Sequence, residues 1–227
     1  MPVTHVYSDY LTLDPDTQIR HMVARKTWAT QPWTERGIKD SELQRMWREE
    51  GRSFPYLKDV WDLGCKGLAD SDIVIFTNTD TCVVTTACAL VVTALQDRDA
   101  IYTYRIDFGH QFIKPIPDAD VHKGSAYAGS DLYGFRVKWW REWRESFPDL
   151  LLGIEGWDPC MRVIMEQTHD GADVQVRGII YHQRHGSFWE NPANRYRLGA
   201  QKYNINAECG WLTSMGIDPR QFGLHPL

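Results

Sequence analysis

The hydrophobic and polar positions of this 227-residue chain follow two periods, one typical of strands and one typical of helices. Near the start, THVYSDY alternates and is rich in β-branched and aromatic residues, which predicts a strand, and the periodicity of Ile19, Met22 and Val23 after Asp14 predicts a helix. DIVIFTNTD is an unbroken apolar run that ends abruptly in polar residues, as strands buried on both faces of a sheet do. The chain therefore opens with a β-α unit and reaches a buried strand soon afterwards.

Helices and strands continue to alternate along the rest of the chain. The polar, charged segment 34–52 is predicted to be helical, and in the next segment Leu57, Val60 and Trp61 share one helical face with Leu68. Further helices are predicted in TACALVVTAL and from Trp157, further strands in AIYTYRIDF and after Gly171, and a short strand followed by a helix in SAYAGSDLYGFRVKWWREWRESF. This alternation predicts an α/β fold in which helices flank a central mixed, mostly parallel sheet, and the length suits a single compact domain, 1–227.

Composition narrows the class of protein. Hydrophobic residues make up 43% of the chain, enough for a sizeable core, and the net charge of −5 argues against strong nonspecific binding to nucleic acid. The five cysteines include no CxxC pair, which argues against a disulfide framework and a cysteine zinc site and favours a reducing compartment. The sequence shows neither a basic-then-apolar leader nor an apolar run of about 20 residues, so we expect a soluble, cytoplasmic protein without a membrane segment.

Two groups of carboxylates are candidates for chemistry. Asp80, with Asn78, follows the buried strand at the sheet edge where α/β proteins bind ligands, and it could hold a divalent cation. The alternative is an Asx turn or a helix cap that closes the strand. Glu155 and Asp158 stand at a predicted helix start, where either could be a general base for a hydroxyl or could cap the helix. The residues alone leave both pairs of alternatives open.

Histidines and arginines supply the other candidates. In IIYHQRHGSFWENP, His182 and His185 follow an apolar run. Neutral imidazoles are common metal ligands, but such a pair could equally lie in the core or on the surface, and a ligand role needs a carboxylate partner. Arg20 and Arg25 in the first helix could grip a phosphate or a uracil, or could be solvated helix residues.

Taken in order, these motifs resemble those of nucleotide-sugar glycosyltransferases of the GT-A fold, in particular the β-1,4-galactosyltransferase and polypeptide N-acetylgalactosaminyltransferase group. The similarity covers roughly residues 70–195. It implies a GT-A-like, Rossmann-like domain in which residues 1–100 bind the nucleotide sugar and residues 101–227 form the acceptor and metal part. It also implies that NTD stands where the group has D-x-D, so that Asp80 is a metal ligand and Asn78 replaces the first Asp.

The resemblance extends to the catalytic and metal residues. GIEGWDPCMR lies over a GGED-type motif, and because Gly156 takes the place of an acidic residue, the implied base is either Asp158 or Glu155. HQRH lies over an M-x-x-H segment that supplies two metal ligands, with His182 in the Met position and His185 in the His position. The implied cofactor is a divalent metal, Mn²⁺ or Mg²⁺.

The implied reaction moves a sugar from a nucleotide diphosphate, with UDP favoured, to a hydroxyl of a glycan, a small molecule, a protein or a hydroxymethylated base in viral DNA. It would take place in the cytoplasm of a bacterium or of a viral host. Nucleotide-sugar hydrolysis with the same ligands and sugar-nucleotide binding without catalysis are the alternatives. Candidates for binding the nucleotide sugar are Tyr7, Arg20, Asn78 and Asp131. Candidates for stacking on the acceptor, with core packing as the competing role, are Trp140, Trp157 and Trp189.

Overall fold

The computed structural model describes residues 1–9, 14–39, 41–43, 55–109, 111–152, 156–168, 175–185 and 196–225, without the side chains of residues 128, 175–177 and 196–201. The strands within these ranges are β1 (Val3–Asp9), β2 (Thr34–Lys39), β3 (Ile73–Thr77), β4 (Cys82–Val83), β5 (Ala100–Phe108), β6 (Ser125–Arg136) and β7 (Gln175–Gln183). The helices are α1 (Pro15–Trp28), α2 (Leu57–Cys65), α3 (Ala87–Ala94), α4 (Val137–Trp143), α5 (Trp157–Gln167) and α6 (Tyr196–Ser214). Asp118–Lys123 and Pro219–Phe222 form short 3₁₀ helices.

The strands form one mixed sheet in the order β2-β1-β3-β6-β5-β7-β4. The β2/β1, β1/β3 and β5/β7 pairs are parallel, whereas β3/β6, β6/β5 and β7/β4 are antiparallel. The predicted α/β fold with a mixed sheet and flanking helices is confirmed. Because β1, β2, β3, β5 and β7 all run in the same direction, their carboxyl ends meet at one edge of the sheet.

Helices cover both faces of the sheet. Val74 and Phe76 of β3 pack with α2, α4, α5 and α6 on one face, and Ile73 and Ile75 pack with α1 and α3 on the other. All residues of β3 are buried. The continuously apolar run therefore predicted its position correctly, because a strand between two helical layers exposes neither face to water.

Local sequence determines where two of the predicted helices begin. The side chain of Asp14 caps α1 by accepting a hydrogen bond of 2.8 Å from the backbone N–H of Thr17, and Pro15 occupies the first turn. In α2, Leu57, Val60 and Trp61 are fully buried, as the helical face predicted. In α1, Val23 is buried and Ile19 is partly buried as predicted, whereas Met22 is 44% exposed because the buried face of the helix runs through Val23, Ala24 and Trp28 instead.

The helix predicted over 34–52 is wrong for residues 34–39, which form β2, and residues 40 and 44–52 lie outside the described residues. In the described sheet β2 pairs with β1 alone, at an edge. An edge strand can leave most of its side chains in water, and within β2 only Ile38 is buried. The polar composition therefore concealed the strand period.

The structure also bears on the predictions for the cysteines and for membrane-spanning helices. All five cysteines are free thiols and all are buried, which confirms that they form no disulfide framework. Among the helices described, none combines the length and apolar character needed to cross a lipid bilayer.

Candidate functional site

Three predicted metal ligands come together at the carboxyl edge of the sheet. After β3, the backbone N–H of Thr81 donates to the carbonyl of Asn78 at 3.2 Å, and this turn carries Asp80. The last residues of β7 bring His182 to the same place, and His185 follows it. The Nε2 atoms of His182 and His185 lie 3.2 and 3.1 Å from Oδ2 of Asp80. The carboxylate partner that the histidine pair needed is therefore Asp80.

Asn78 has a defined role beside this triad. Its side-chain amide donates a 2.7 Å hydrogen bond to Oδ1 of Asp131 on β6, and its backbone N–H donates to the carbonyl of Asp131 at 3.3 Å. A carboxylate at position 78 would face the Asp131 carboxylate at this distance and would repel it. The amide in NTD is therefore complementary to Asp131, which lies at the same sheet edge and is 3% exposed.

Two charged residues of β5 that the sequence reasoning missed connect these groups. Parallel pairing of β5 and β7 sets Asp107 opposite His182, and Oδ1 of Asp107 lies 3.4 Å from Nδ1 of His182. Arg105 lies between two carboxylates, with Nε 2.8 Å from Asp107 and Nη1 2.6 Å from Asp131. The signal was present in the sequence, because RID places two opposite charges on one face of an otherwise apolar strand.

The electrostatics of the site follow from this arrangement. Burial by itself raises the pKa of Asp80, but the two facing imidazoles outweigh it and hold that pKa well below its ordinary value. Burial opposes the charged form of His182, yet Asp80 and Asp107 together raise its pKa to about 9. Burial also opposes the charge on Arg105, and Asp131 and Asp107 outweigh it and raise the pKa of the guanidinium. The site therefore stabilises positive charge beside Asp80.

This donor set fits a divalent cation. One ligand atom from each of Asp80, His182 and His185 lies within 4.8 Å of the others. A carboxylate with two imidazoles is a mixed O and N set that Mn²⁺ accepts. The carboxylates that favour a proton on His182 also favour a cation in that position, and Asp107 on Nδ1 leaves Nε2 facing Asp80.

Two of the residues expected to bind the nucleotide sugar belong to the first β-α unit, Tyr7 to β1 and Arg20 to α1. Arg20 of α1 is brought to the triad, with its Nε 3.9 Å from Oδ2 of Asp80. Tyr7 of β1 is only 7% exposed and packs against Trp28, with the guanidinium of Arg25 5.3 Å from its ring centroid. Tyr7 therefore contributes to the core, whereas the side chain of Arg20 reaches Asp80.

The chain is similar to S. aureus TarS 1–349 in complex with UDP-GlcNAc, with a TM-score of 0.51 and 8% identity over 97% of this chain and 74% of that chain. TarS is a GT-A-type glycosyltransferase. The chain has a GT-A-like fold. A second structure of S. aureus TarS 1–349 gives a TM-score of 0.49 and 8% identity over 95% of this chain and 74% of that chain.

The likeness holds at the level of the glycosyltransferase fold and does not single out the galactosyltransferase and N-acetylgalactosaminyltransferase group. No protein-family model and no curated protein sequence matches the chain. The candidate metal site draws Asp80 from the first hundred residues and the two histidines from the rest of the chain.

The tryptophans expected to stack on an acceptor occupy the core wherever the structure describes them. Trp140 is 2% exposed, and its ring centroid lies 5.1 Å from those of Trp61 and Phe147. Trp157 is 6% exposed and packs on Tyr133. Core packing, the competing role for these rings, is therefore the role they have here, because burial leaves no face for a substrate. Trp189 lies outside the described residues.

Asp158, one of the two carboxylates expected to act as a base, is more accessible than these tryptophans. Asp158 is half-buried in the first turn of α5, which Gly156 precedes with φ +96°. The helix dipole favours its ionised form. A β-carbon added to Gly129 of β6 would lie 3.7 Å from Oδ2 of Asp158, so the carboxylate faces the strand that carries Asp131. Glu155 lies outside the described residues.

Proposed function

We propose that the protein is a metal-dependent glycosyltransferase that moves a sugar from a UDP-sugar to a hydroxyl acceptor. The observation that carries the proposal is the convergence of Asp80, His182 and His185 at the carboxyl edge of a sheet with a GT-A-like fold. Ligands of α/β proteins bind at this edge. UDP-GlcNAc in the TarS complex supports a UDP-sugar as the donor.

Asp80, His182 and His185 would hold Mn²⁺ or Mg²⁺. The bound cation would neutralise the negative charge of the departing diphosphate. Asp107 keeps the imidazole of His182 oriented from the opposite side, and Arg20 adds positive charge next to Asp80. Asn78, which is partly exposed and is held in place by the buried carboxylate of Asp131, is suited to hydrogen-bond the hydroxyls of the donor.

Asp158 is the proposed catalytic base. In the transfer, the acceptor oxygen forms a bond to the anomeric carbon while the bond from that carbon to the diphosphate breaks, and Asp158 takes the proton of the acceptor hydroxyl. An ionised carboxylate is needed for this role, and its position in the first turn of α5 favours that state. A base in this position favours inversion at the anomeric carbon.

Release of UDP from a panel of UDP-sugars tests the proposal. We expect turnover with Mn²⁺, its loss on chelation, and a reduction of at least about 100-fold in Asp80→Ala and His185→Ala, because a metal ligand supports several kcal/mol of charge stabilisation. Asp70→Ala and His122→Ala are matched controls, since both residues are exposed and lie outside the site. Unchanged turnover in Asp80→Ala and His185→Ala would refute the assignment of the metal ligands.

Product analysis separates the transferase from the alternative hydrolase. A transferase should release UDP faster when hydroxyl acceptors are added and should yield a glycosylated product. A hydrolase should release free sugar at a rate that no acceptor changes. Tight UDP binding without turnover of any UDP-sugar would instead indicate a binding protein.

A further inference from the structure

β6 is bulged where it passes Arg105. Along the β5/β6 ladder, Tyr104 pairs with Ser130, whereas the next residue, Arg105, pairs with Tyr127. Residues 128 and 129 are therefore passed over in the register. Bulges of this kind bend a strand and change where its side chains point, and they recur beside active sites. Here the bulge lies next to Arg105, which connects Asp107 and Asp131.

The bulge presents an aromatic ring to solvent beside the site. Tyr127 is 51% exposed, and the guanidinium carbon of Arg105 lies 4.4 Å from its ring centroid. Arg105 itself is held by Asp107 and Asp131, so the ring rests on an immobilised cation. A ring that is already fixed loses little conformational entropy when a ligand packs against it. Tyr127 therefore has the properties of a stacking platform.

Gly129 lets the ring of Tyr127 lie close to the proposed base. A β-carbon at position 129 would lie 2.5 Å from Cε1 of Tyr127 and 3.7 Å from Oδ2 of Asp158. The aromatic ring and the carboxylate thus converge on one small region, and any side chain larger than hydrogen at 129 would displace the ring. The absence of a β-carbon at position 129 is therefore what allows the ring to lie beside the carboxylate.

We infer that Tyr127, Gly129 and Asp158 form the acceptor subsite and that the acceptor is a neutral cyclic sugar. The inference rests on the proposed function. One face of a pyranose consists largely of C–H bonds and packs on an aromatic ring, while its hydroxyls donate hydrogen bonds to a carboxylate. Stacking on Tyr127 would bring a ring hydroxyl toward Asp158, which takes its proton as the oxygen bonds to the anomeric carbon of the donor.

Charge selects a neutral acceptor over a nucleic acid. The Asp158 carboxylate lies near the platform, and the guanidinium of Arg105, which faces the ring, is already paired with Asp107 and Asp131. A phosphodiester backbone would be repelled by the Asp158 carboxylate and would find no uncommitted charge on Arg105. A sugar ring meets neither difficulty.

Ligand-observed saturation-transfer NMR tests the subsite. The protein is first loaded with UDP and Mg²⁺, and the probes are methyl glycosides of glucose, galactose and N-acetylglucosamine, with glycerol and a hydroxymethylcytosine oligonucleotide for comparison. We expect at least one glycoside to bind, Tyr127→Phe to keep its affinity within about twofold, and Tyr127→Ala and Gly129→Val to weaken it about tenfold. Tyr203→Ala removes another exposed tyrosine, on α6, and should have no effect.

The outcomes distinguish failure of the subsite from failure of the proposed function. Glycoside binding that is equal in wild type and Tyr127→Ala overturns the subsite, as does a protein that binds UDP with Mg²⁺ but no glycoside, or that binds only the oligonucleotide. A wild-type protein that binds no UDP in the presence of a divalent metal refutes the proposed function, and the subsite with it. Tyr127→Ala removes the ring from its contact with Arg105, so circular dichroism is used to establish that both Tyr127→Ala and Gly129→Val are folded.

Discussion

At the scale of single residues, the candidate metal site is supported by carboxylates that are not among its three proposed ligands. Asp107 contacts Nδ1 of His182 while Asp80 contacts Nε2, so the imidazole is held from both sides. Arg105 in turn holds Asp107 and Asp131. Partners of this kind fix the orientation of a histidine ligand and increase its basicity. The affinity for a cation should therefore depend on residues one contact away from it.

Substitution of Asp107 tests this dependence. We expect Asp107→Asn to weaken Mn²⁺ binding about 10- to 100-fold, because His182 loses its charged partner. Calorimetric titration with Mn²⁺ in the absence of nucleotide measures the effect. Asp120→Asn, in the neighbouring 3₁₀ helix, is the matched control, since Asp120 pairs with Lys123 and not with the histidines. Equal Mn²⁺ affinity in wild type and Asp107→Asn would contradict the role given to Asp107.

A second residue-scale prediction concerns His5, which is completely buried in β1 with Nε2 2.8 Å from Oγ1 of Thr77. Burial lowers the pKa of His5 from 6.5 to about 3. Between these values the unfolded chain binds a proton that the folded protein excludes, so the free energy of unfolding falls as the pH falls. The expected slope from this residue is about 1.4 kcal/mol per pH unit.

Urea unfolding at a series of pH values from 7 to 4 measures this slope. In His5→Gln the slope of the free energy of unfolding against pH should be smaller by the contribution of one proton, whatever the effect of the substitution on stability at neutral pH. The pKa of His21 is also lowered, mainly by burial, so a smaller slope should persist in the variant. An identical slope in both proteins would show that His5 is protonated without cost in the folded state.

The sequence places Asp80, His182 and His185 after apolar runs, and the resemblance to GT-A glycosyltransferases implied a metal role for them. The structure brings them together because the carboxyl ends of the strands meet at one sheet edge. Arg105, Asp107 and Tyr127 were missed for a physical reason. Their roles depend on which strands are neighbours and on a two-residue bulge, and neither property is encoded in the period of a single segment. The core positions of Trp140 and Trp157 were likewise undecided until the helices were placed.

At the scale of elements, the approach of α2 to β1 is set by one glycine. A β-carbon at Gly64 would lie 2.9 and 3.0 Å from the two methyl carbons of Val6, which is fully buried. Val6 packs between the sheet and this helix and has no space into which to move without displacing other core atoms. Gly64 therefore permits a closer helix-to-sheet distance than any other residue would.

Two alanine substitutions separate this packing effect from helix propensity. Gly64→Ala should destabilise the protein by about 1–3 kcal/mol, because overpacking outweighs the gain in helix propensity. Gly210→Ala in α6 meets no atom within 4 Å and should stabilise it by up to about 1 kcal/mol. Chemical denaturation measures both free energies of unfolding. Stabilisation by Gly64→Ala would show that α2 moves away from β1 at no cost.

The edge strand β2 shows where element prediction from periodicity fails. Its sequence, TERGIK, has one buried position, Ile38, and the rest of its burial pattern is intermediate or exposed. Backbone pairing with β1 holds it in place, and backbone hydrogen bonds leave no mark on the pattern of side chains. The buried strand β3, with apolar layers on both faces, was by contrast predicted from composition alone.

At the scale of the whole molecule, the mixed sheet brings residues that are distant in sequence to one edge. Asp80 and His182 are separated by 102 positions along the chain, and Asn78 and Asp131 by 53. The antiparallel strand β6 lies between β3 and β5. It therefore places Asp131 and the neighbouring β-bulge at the edge where the parallel strands end. The GT-A-like arrangement thus draws the proposed metal ligands, donor contact and base from separate parts of the chain.

The central claim is that this edge binds a nucleoside diphosphate through a divalent cation held by Asp80 and the two histidines. Calorimetric titration of UDP into the protein, with Mn²⁺ and with chelator, tests it most directly. We expect UDP to bind wild type in the presence of Mn²⁺, and binding to weaken at least about tenfold with chelator or in Asp80→Asn. UDP affinity that is the same with chelator, or the same in Asp80→Asn as in wild type, would contradict the account.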